Sequence, residues 1–213
     1  MAWQQSSRPL NYSQFRQTMK QEVSIFLSAS IPYGERAKKY LPDPIAIREA
    51  VRSLVTVMSP RLNIVFGGHP AINPFVLDAA RTLNTIENIH IFQSEDFIGE
   101  IPEEVPYFEH IRWTAKKENR QISLRHMREE IMRPKKYGIP PYRAAFFIGG
   151  MNGVIEEWDL FRTKHPDQKR FPLASTEGAA RHIATTCESD LKPEWKEEIR
   201  YHYLFSEILK KFF

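Results

Sequence analysis

The stretch "FFIGGMNGVIEEW", residues 146–158, joins an aromatic apolar run to paired glycines, a third glycine and two adjacent carboxylates. The run before Gly149 and Gly150 is continuously apolar, as is typical of a strand covered by helices on both faces. The residues after the glycines are expected to begin a helix that carries Glu156 and Glu157 in its first turn. This order of strand, glycine turn and helix predicts one repeat of a parallel α/β sheet.

Four more short apolar runs occur along the chain, and segments able to form helices separate most of them. The runs are "VSIFLSAS" (23–30), "LNIVFGG" (62–68), "NIHIFQS" (88–94) and "RFPLAST" (170–176). Because these runs do not alternate with polar residues, each predicts a buried parallel strand. The expected fold is therefore a Rossmann-like, three-layer α/β fold, with a mostly parallel sheet of about five strands and helices on both faces.

The connecting segments carry helix signals. Apolar residues from Ile45 to Met58 recur at helical spacing, Asn73 is expected to cap a second helix that has Pro74 at its first position, and residues 119–132 predict an amphipathic helix. "HIRWT", at 110–114, is open to interpretation as an additional short strand. The predicted elements divide the chain into three parts: an N-terminal peripheral segment (1–21), a Rossmann-like domain (22–185) and a C-terminal helical extension (186–213). The N-terminal segment is expected to form a short helix.

Composition limits the function classes. The net charge of +4 is too small to indicate nucleic-acid binding and suits phosphorylated small molecules equally well. Cys187 is the single cysteine, which excludes an internal disulfide and a Cys/His zinc pattern. The sequence lacks a secretory signal and an apolar run as long as a membrane span. We therefore expect a cytoplasmic protein without membrane attachment, metal site or resident cofactor.

Small and hydroxylated residues end the predicted strands. They are Ser28-Ala29-Ser30, Gly67-Gly68, Gln93-Ser94, Gly149-Gly150 and Ser175-Thr176. In a parallel sheet these ends meet at one edge, where ligands bind at the topological switch point, and backbone amides and helix dipoles there attract anions. A phosphate or diphosphate group is the expected ligand at this edge. Alternatively, each glycine pair only forms a turn. Neither pair matches GxGxxG or the P-loop pattern, which disfavours ordinary dehydrogenases and P-loop ATPases.

Several charged side chains are candidates for contact with such a ligand. One of Glu156 and Glu157 is expected to reach a ribose hydroxyl or to stabilise positive charge at an anomeric carbon, the alternative being favourable interaction with the helix dipole alone. Arg125 and Arg128 suit bidentate phosphate contacts, and His69 suits ligand contact or proton transfer. The alternative for all three is simple solvent exposure. The segments "GERAKK" (34–39) and "RPKK" (133–136) are either solvated or a lid over an anionic ligand.

Taken in order, "IFLSAS", "IVFGG", "FFIGGMNGVIEE" and "PLAST" resemble the SLOG superfamily over about residues 22–185. This superfamily includes the DNA-processing protein family, the LOG-type phosphoribohydrolases, and nucleotide-sensor domains attached to bacterial immune effectors. The resemblance implies binding of a nucleotide or NAD-derived ligand of the ADP-ribose type, as a sensor in bacterial defence or signalling. "FLSAS" is also similar to TIR domains and nucleoside deoxyribosyltransferases, although the glycine motif fits these less well.

LOG enzymes carry a PGGxGTxxE stretch, and "IGGMNGVIEE" is similar to it in its paired glycines, third glycine and closing Glu157. Ile148 stands in place of the proline, Val154 in place of the threonine, and one additional residue precedes Gly153. The LOG pattern also has an arginine four residues before a methionine, as Arg128 precedes Met132. The resemblance thus implies, as the alternative function, an N-glycosidase or phosphoribohydrolase that cleaves nucleoside monophosphates or NAD with Glu157 and Arg128 as the catalytic pair.

The remaining expectations concern the ligand contacts and the partners. The expected ligand-binding residues are Ser28, Ala29, Ser30, Gly67, Gly68, His69, Arg125, Gly149, Gly150, Met151, Asn152, Gly153, Ser175 and Thr176. The C-terminal segment is expected to close the domain or to form a homo-oligomer contact. A third alternative is a purely structural partner of an effector protein.

Overall fold

Six parallel strands form one sheet with helices on both faces in the computed structural model, which describes residues 22–187 and 190–213. The strands are β1 (Ser24–Ser30), β2 (Asn63–Phe66), β3 (Ile89–Ser94), β4 (His110–Thr114), β5 (Tyr142–Gly149) and β6 (Lys169–Leu173). The helices are α1 (Glu35–Tyr40), α2 (Pro44–Met58), α3 (Asn73–Leu83), α4 (Arg120–Ile131), α5 (Asn152–Lys164), α6 (Gly178–Thr186) and α7 (Tyr201–Phe212). The predicted α/β class and parallel sheet are confirmed.

The sheet order is β4-β3-β2-β1-β5-β6. The chain adds strands in one direction from β1 to β4 and then returns to place β5 on the other side of β1. The switch point therefore lies between β1 and β5, where Ser30 is opposite Gly149. Such a point leaves a crevice outside the carboxyl ends of the two strands.

Alternate residues of the strands supply two separate apolar cores. Leu27, Phe66 and Phe146 face α2, α3 and α7, whereas Phe26 and Phe147 face α4, α5 and α6. Because successive side chains of a strand point to opposite faces, strands covered on both sides must be apolar throughout. This requirement explains the uninterrupted apolar runs of the sequence.

Local capping fixes where α2 and α4 begin. The Asp43 carboxylate accepts hydrogen bonds from the Ile45 and Ala46 amides, and Pro44 occupies the first turn of α2. The Asn119 side chain accepts from the Ile122 amide at the start of α4. These side-chain oxygens satisfy amides that a helix start otherwise leaves without a partner.

Four local expectations need correction. "HIRWT" is a strand, so the sheet has six strands and not about five. Asn73 is the first residue of α3 with a buried side chain and forms no cap hydrogen bond. The first turn of α5 contains no acidic residue, because the helix begins at Asn152 and thereby places both carboxylates in its second turn. Ile45 is 67% exposed instead of buried with the other apolar residues of α2.

Residues 1–21, expected to be a peripheral segment, lie outside the described residues. The C-terminal helix α7 packs on α2 and buries Tyr201, Leu204, Phe205, Ile208 and Leu209 in the same core as the sheet. Its apolar stripe therefore closes this face of the sheet.

Candidate functional site

A cavity of about 890 Å³ opens at the carboxyl edge of the sheet. Its walls come from the segments that follow β1, β2 and β5, from α1 and α4, and from residues 97–102. Of the residues expected to bind or act on a ligand, it brings together Ala29, Ser30, Gly67, Gly68, His69, Arg128, Met151, Asn152, Gly153 and Glu157. The parallel topology gathers these residues because every strand ends at this edge.

Arg128 and Glu157 face each other across one end of the cavity. Arg128 Nε lies 3.4 Å from Glu157 Oε1, and its Nη1 lies 2.5 Å from Glu156 Oε2. Ser28, at the end of β1, donates a hydrogen bond of 2.5 Å to Glu157 Oε2. The side chains of Arg128 and Glu157 are 16% and 15% exposed, whereas that of Glu156 is 56% exposed. Glu156 thus approaches the guanidinium from the solvent side.

Burial raises the pKa of the Glu157 carboxyl above its ordinary value, because the protein interior disfavours the charged form. The positive charge of Arg128 and the hydrogen bonds from Ser28 and Arg128 act in the opposite direction without cancelling this effect. A carboxyl group that lines a cavity and has a raised pKa is a candidate proton donor or acceptor. The same group can also accept a hydrogen bond from a sugar hydroxyl.

Gly153 lets Arg128 reach this position. A Cβ atom at residue 153 would lie 2.6 Å from Arg128 Nη2, which is closer than real Cβ contacts allow. The third glycine of the stretch therefore serves the approach of a side chain from α4 to the start of α5. Gly153 also lines the cavity, as expected of a ligand-binding residue.

The glycine pairs have different surroundings. Gly68 has a φ of +59° and lines the cavity beside Gln93, whose Nε2 donates to the Gly68 carbonyl at 2.8 Å. Gly149 and Gly150 also have positive φ, but neither lines the cavity, and side chains at these positions would collide with Ile47 and Val154. The second pair is thus required by packing within the protein.

Thr176 and Ser175 bind the protein's own backbone. The fully buried Thr176 hydroxyl accepts from the Gly149 amide at 2.8 Å and donates to the Leu173 carbonyl at 2.7 Å. The Ser175 hydroxyl donates to the Glu198 carbonyl. Strand β6 ends at Leu173, and the 3-10 turn Ala174–Thr176 carries both residues away from the cavity. The expected bare amide at Gly149 is therefore occupied by Thr176.

Two further expected site residues also lie outside the cavity lining. Ser28 is fully buried beneath Glu157 and contacts the cavity only through that carboxylate. Arg125 is 78% exposed, pairs with Glu129, and lines a separate surface depression between α4 and α5. Arg125 and Arg128 lie three positions apart on α4, but only Arg128 lines the cavity.

Sequence reasoning did not assign several residues that line the cavity. Examples are Tyr33, Tyr40, Phe97 and Arg120, together with Lys39, which had been noted only as part of a lid segment. All of them come from α1 and the flanking loop, from the loop after β3, or from α4. The only sequence feature that pointed to any of them is the basic run 34–39. The others could not be predicted, because tertiary structure determines which loops lie beside the strand ends.

Residues 22–187 and 190–213 contain no group of three or more His, Cys, Asp or Glu side chains arranged to hold a metal ion. The helices of these segments are all too short or too polar to cross a bilayer.

Comparisons with known proteins agree with the expected superfamily. The model of the SLOG cluster3 family matches residues 39–209. The fold is similar to the X-ray structure of TM1055, a structural genomics target, with a TM-score of 0.53 and 12% sequence identity over 77% of this chain and 81% of that one. Identity this low supports the fold alone. A search among curated proteins gave no match.

Proposed function

The chain belongs to the SLOG cluster3 family, and we propose that it binds a nucleotide-derived ligand of the ADP-ribose type in the cavity at the carboxyl edge of its sheet. Its role is that of a sensor, in bacterial defence or signalling. The observation that carries this proposal is the Arg128–Glu157 pair, which lines a cavity of about 890 Å³ at the switch point. The volume is within the range of small-molecule sites.

The walls of the cavity suit the parts of a nucleotide. Leu27, Phe66 and Met127 are apolar surfaces on which a base or the carbon face of a ribose can pack. Glu157 and Ser30 offer oxygen atoms to ribose hydroxyls. A ligand with both apolar and hydroxylated parts therefore matches the cavity better than an inorganic anion does.

Binding is tested by thermal unfolding of the full chain with AMP, NAD and ADP-ribose at millimolar concentration. A ligand that binds the folded state raises the midpoint temperature, and the rise grows with the logarithm of the ligand concentration once that concentration exceeds Kd. Adenosine and ribose 5-phosphate separate the contributions of base and phosphate. Absence of a shift with all of these compounds would contradict the proposed function.

The second candidate function is hydrolysis of an N-glycosidic bond. It is favoured by the position of Glu157, which is partly buried, is held by Ser28 and Arg128, and lines the cavity. A carboxylate in this place stabilises positive charge that develops at an anomeric carbon. In this reaction the bond between C1′ of the ribose and the base breaks, the oxygen of a water molecule bonds to C1′, and one proton of that water goes to the departing base.

Chromatography distinguishes the two candidates. Incubation with nucleoside monophosphates or NAD releases free base only if the protein is a hydrolase. Glu157→Gln should then abolish release while it preserves affinity, because glutamine retains the shape and the hydrogen-bond acceptor but not the charge. Asp159→Asn is the matched control, since Asp159 lies two residues further along α5, is 57% exposed and pairs with Arg162.

A further inference from the structure

Three cationic side chains line the cavity within the part of the chain that the structure describes: Lys39, Arg120 and Arg128. Arg120 is held by Glu100 through two contacts, at 3.0 and 3.3 Å, and its guanidinium lies 4.3 Å from the centre of the Phe97 ring. The guanidinium groups of Arg120 and Arg128 are therefore both already paired with carboxylates of the protein. An anionic ligand gains least where positive charge is already neutralised.

Arg128 is surrounded by more negative than positive charge. Glu156 and Glu157 both contact it, at 2.5 and 3.4 Å. With both carboxyl groups ionised, this end of the cavity has a net charge of −1, and a phosphate placed there would face Glu157 at short range. The charge distribution favours a neutral sugar at this end, with the phosphate of the ligand elsewhere.

Lys39 differs from the two arginines. Among the described residues no carboxylate pairs with its ammonium group, which lies 5.1 Å from the centroid of the Tyr40 ring. The preceding Lys38 is paired with Glu35 at 2.6 Å and does not line the cavity. The two lysines of α1 thus differ in that one is paired with a carboxylate outside the cavity and the other lines the cavity without such a pair.

Contact with α5 holds α1 over the cavity. The Tyr40 hydroxyl donates a hydrogen bond to Asn152 Oδ1, and Asn152 is the first residue of α5 and also lines the cavity. The bond links two segments 112 positions apart. It therefore keeps Lys39 at the rim of the cavity, beside the beginning of α5.

We propose that Lys39 is the anion-recognising residue of this cavity, so that the ligand binds with its phosphate at the rim under α1 and its ribose toward Arg128 and Glu157. This inference rests on the proposed nucleotide binding and adds an orientation to it. It differs from the expectation of a phosphate over Gly149 and Gly150, which do not line the cavity.

The test compares Lys39→Ala with Lys38→Ala by titration calorimetry of the full chain. AMP, ADP-ribose and adenosine are the probes. Loss of one charge-assisted contact should weaken AMP and ADP-ribose binding about tenfold in Lys39→Ala and reduce the salt dependence of affinity. Adenosine binding should not change, and Lys38→Ala should match the wild type with all three probes. Both positions are exposed, so both variants should unfold at the wild-type temperature.

The possible outcomes distinguish failure of the Lys39 assignment from failure of the proposed function. If the wild type binds AMP and Lys39→Ala binds it equally well, or if both variants lose affinity to the same extent, the assignment of Lys39 is overturned and the proposed function stands. If the wild type binds none of the three probes, the proposed function fails and the assignment fails with it.

Discussion

Ser28 donates a hydrogen bond of 2.5 Å to Glu157 and so connects the end of β1 with the second turn of α5, across 129 positions of sequence. Ser28 is fully buried, and its hydroxyl fixes one oxygen of the carboxylate while Arg128 approaches the other. The carboxyl group is thus oriented by the sheet and by α4 together. The geometry of the candidate site depends on this alignment of three elements.

Glu157→Gln should change how stability depends on pH. Because burial raises the pKa of Glu157 above its ordinary value of 4.5, the folded protein binds this proton more tightly than the unfolded chain does. The resulting stabilisation is complete below the ordinary pKa and is lost as pH rises through the raised one. Denaturant unfolding from acidic to neutral pH should therefore show the wild type losing stability relative to the variant.

The control for this measurement is Glu129→Gln, a partly exposed carboxylate of α4 that pairs with Arg125. Its stability should run parallel to that of the wild type over the same pH range. Parallel curves for wild type and Glu157→Gln would instead show that the Glu157 carboxyl titrates alike in the folded and unfolded states.

Gly153→Ala should impair ligand binding without loss of stability. The new methyl group would displace the Arg128 guanidinium, whose Nη2 lies 2.6 Å from the added atom, and a flexible side-chain end yields more easily than the backbone. Alanine is also the better helix former, by about 1 kcal/mol. We expect a midpoint temperature equal to or above that of the wild type, with weaker binding of ADP-ribose.

Gly99→Ala is the matched control, because nothing lies within 4 Å of the atom that it adds. It should leave both the affinity and the midpoint temperature unchanged. Equal ADP-ribose affinity in wild type and Gly153→Ala would mean that the position of Arg128 does not matter for the ligand.

The sheet was predictable because its signal is local. Runs such as residues 62–68 and 143–150 are apolar without alternation, and only a strand buried on both faces requires that pattern. The weakest strand, β4, lies at the edge of the sheet with Trp113 38% exposed. Its mixed pattern gave little evidence of burial, which is why the expected number of strands was too low.

The candidate site was predictable only where strand ends determine it. Ser30, Gly67 and Gly68 follow directly from the parallel topology. The hydrogen-bond partner of a hydroxyl does not follow from the topology. Nothing in the stretch "LAST" indicates whether the Thr176 hydroxyl contacts a ligand or, as it does, accepts from the Gly149 amide. The approach of Tyr40 to Asn152 depends equally on the path of a loop.

Gly149→Ala should destabilise the fold strongly. Residue 149 has a φ of +58°, which costs a residue with a Cβ atom, and the added atom would collide with Ile47. Strain and overpacking together predict a loss of about 2 to 4 kcal/mol. Gly138→Ala separates the two causes, because Gly138 has a φ of +69° but open space around it. Denaturant unfolding should give a loss of about 1 kcal/mol for this control, and equal losses would exclude a packing role for Gly149.

His90 should make stability fall at acidic pH. Burial, followed by the nearby charges of His110 and Arg112, lowers the pKa of His90 from 6.5 to about 4. Its ring stacks on His110 with centroids 4.7 Å apart, and its Nε2 lies 3.3 Å from Asn63 Oδ1. A depressed pKa gives stability that is present above the ordinary value and is lost as pH falls toward the lowered one.

The comparison is between wild type and His90→Gln, with His182→Gln, an exposed residue of α6, as the control. From about pH 7 to about pH 4.5 the wild type and the control should lose up to about 2 kcal/mol more than His90→Gln, because glutamine does not titrate. Urea unfolding at the two pH values measures the difference. If His90→Gln loses as much stability as the wild type, protonation of His90 does not contribute to the acid sensitivity, and another group must carry it.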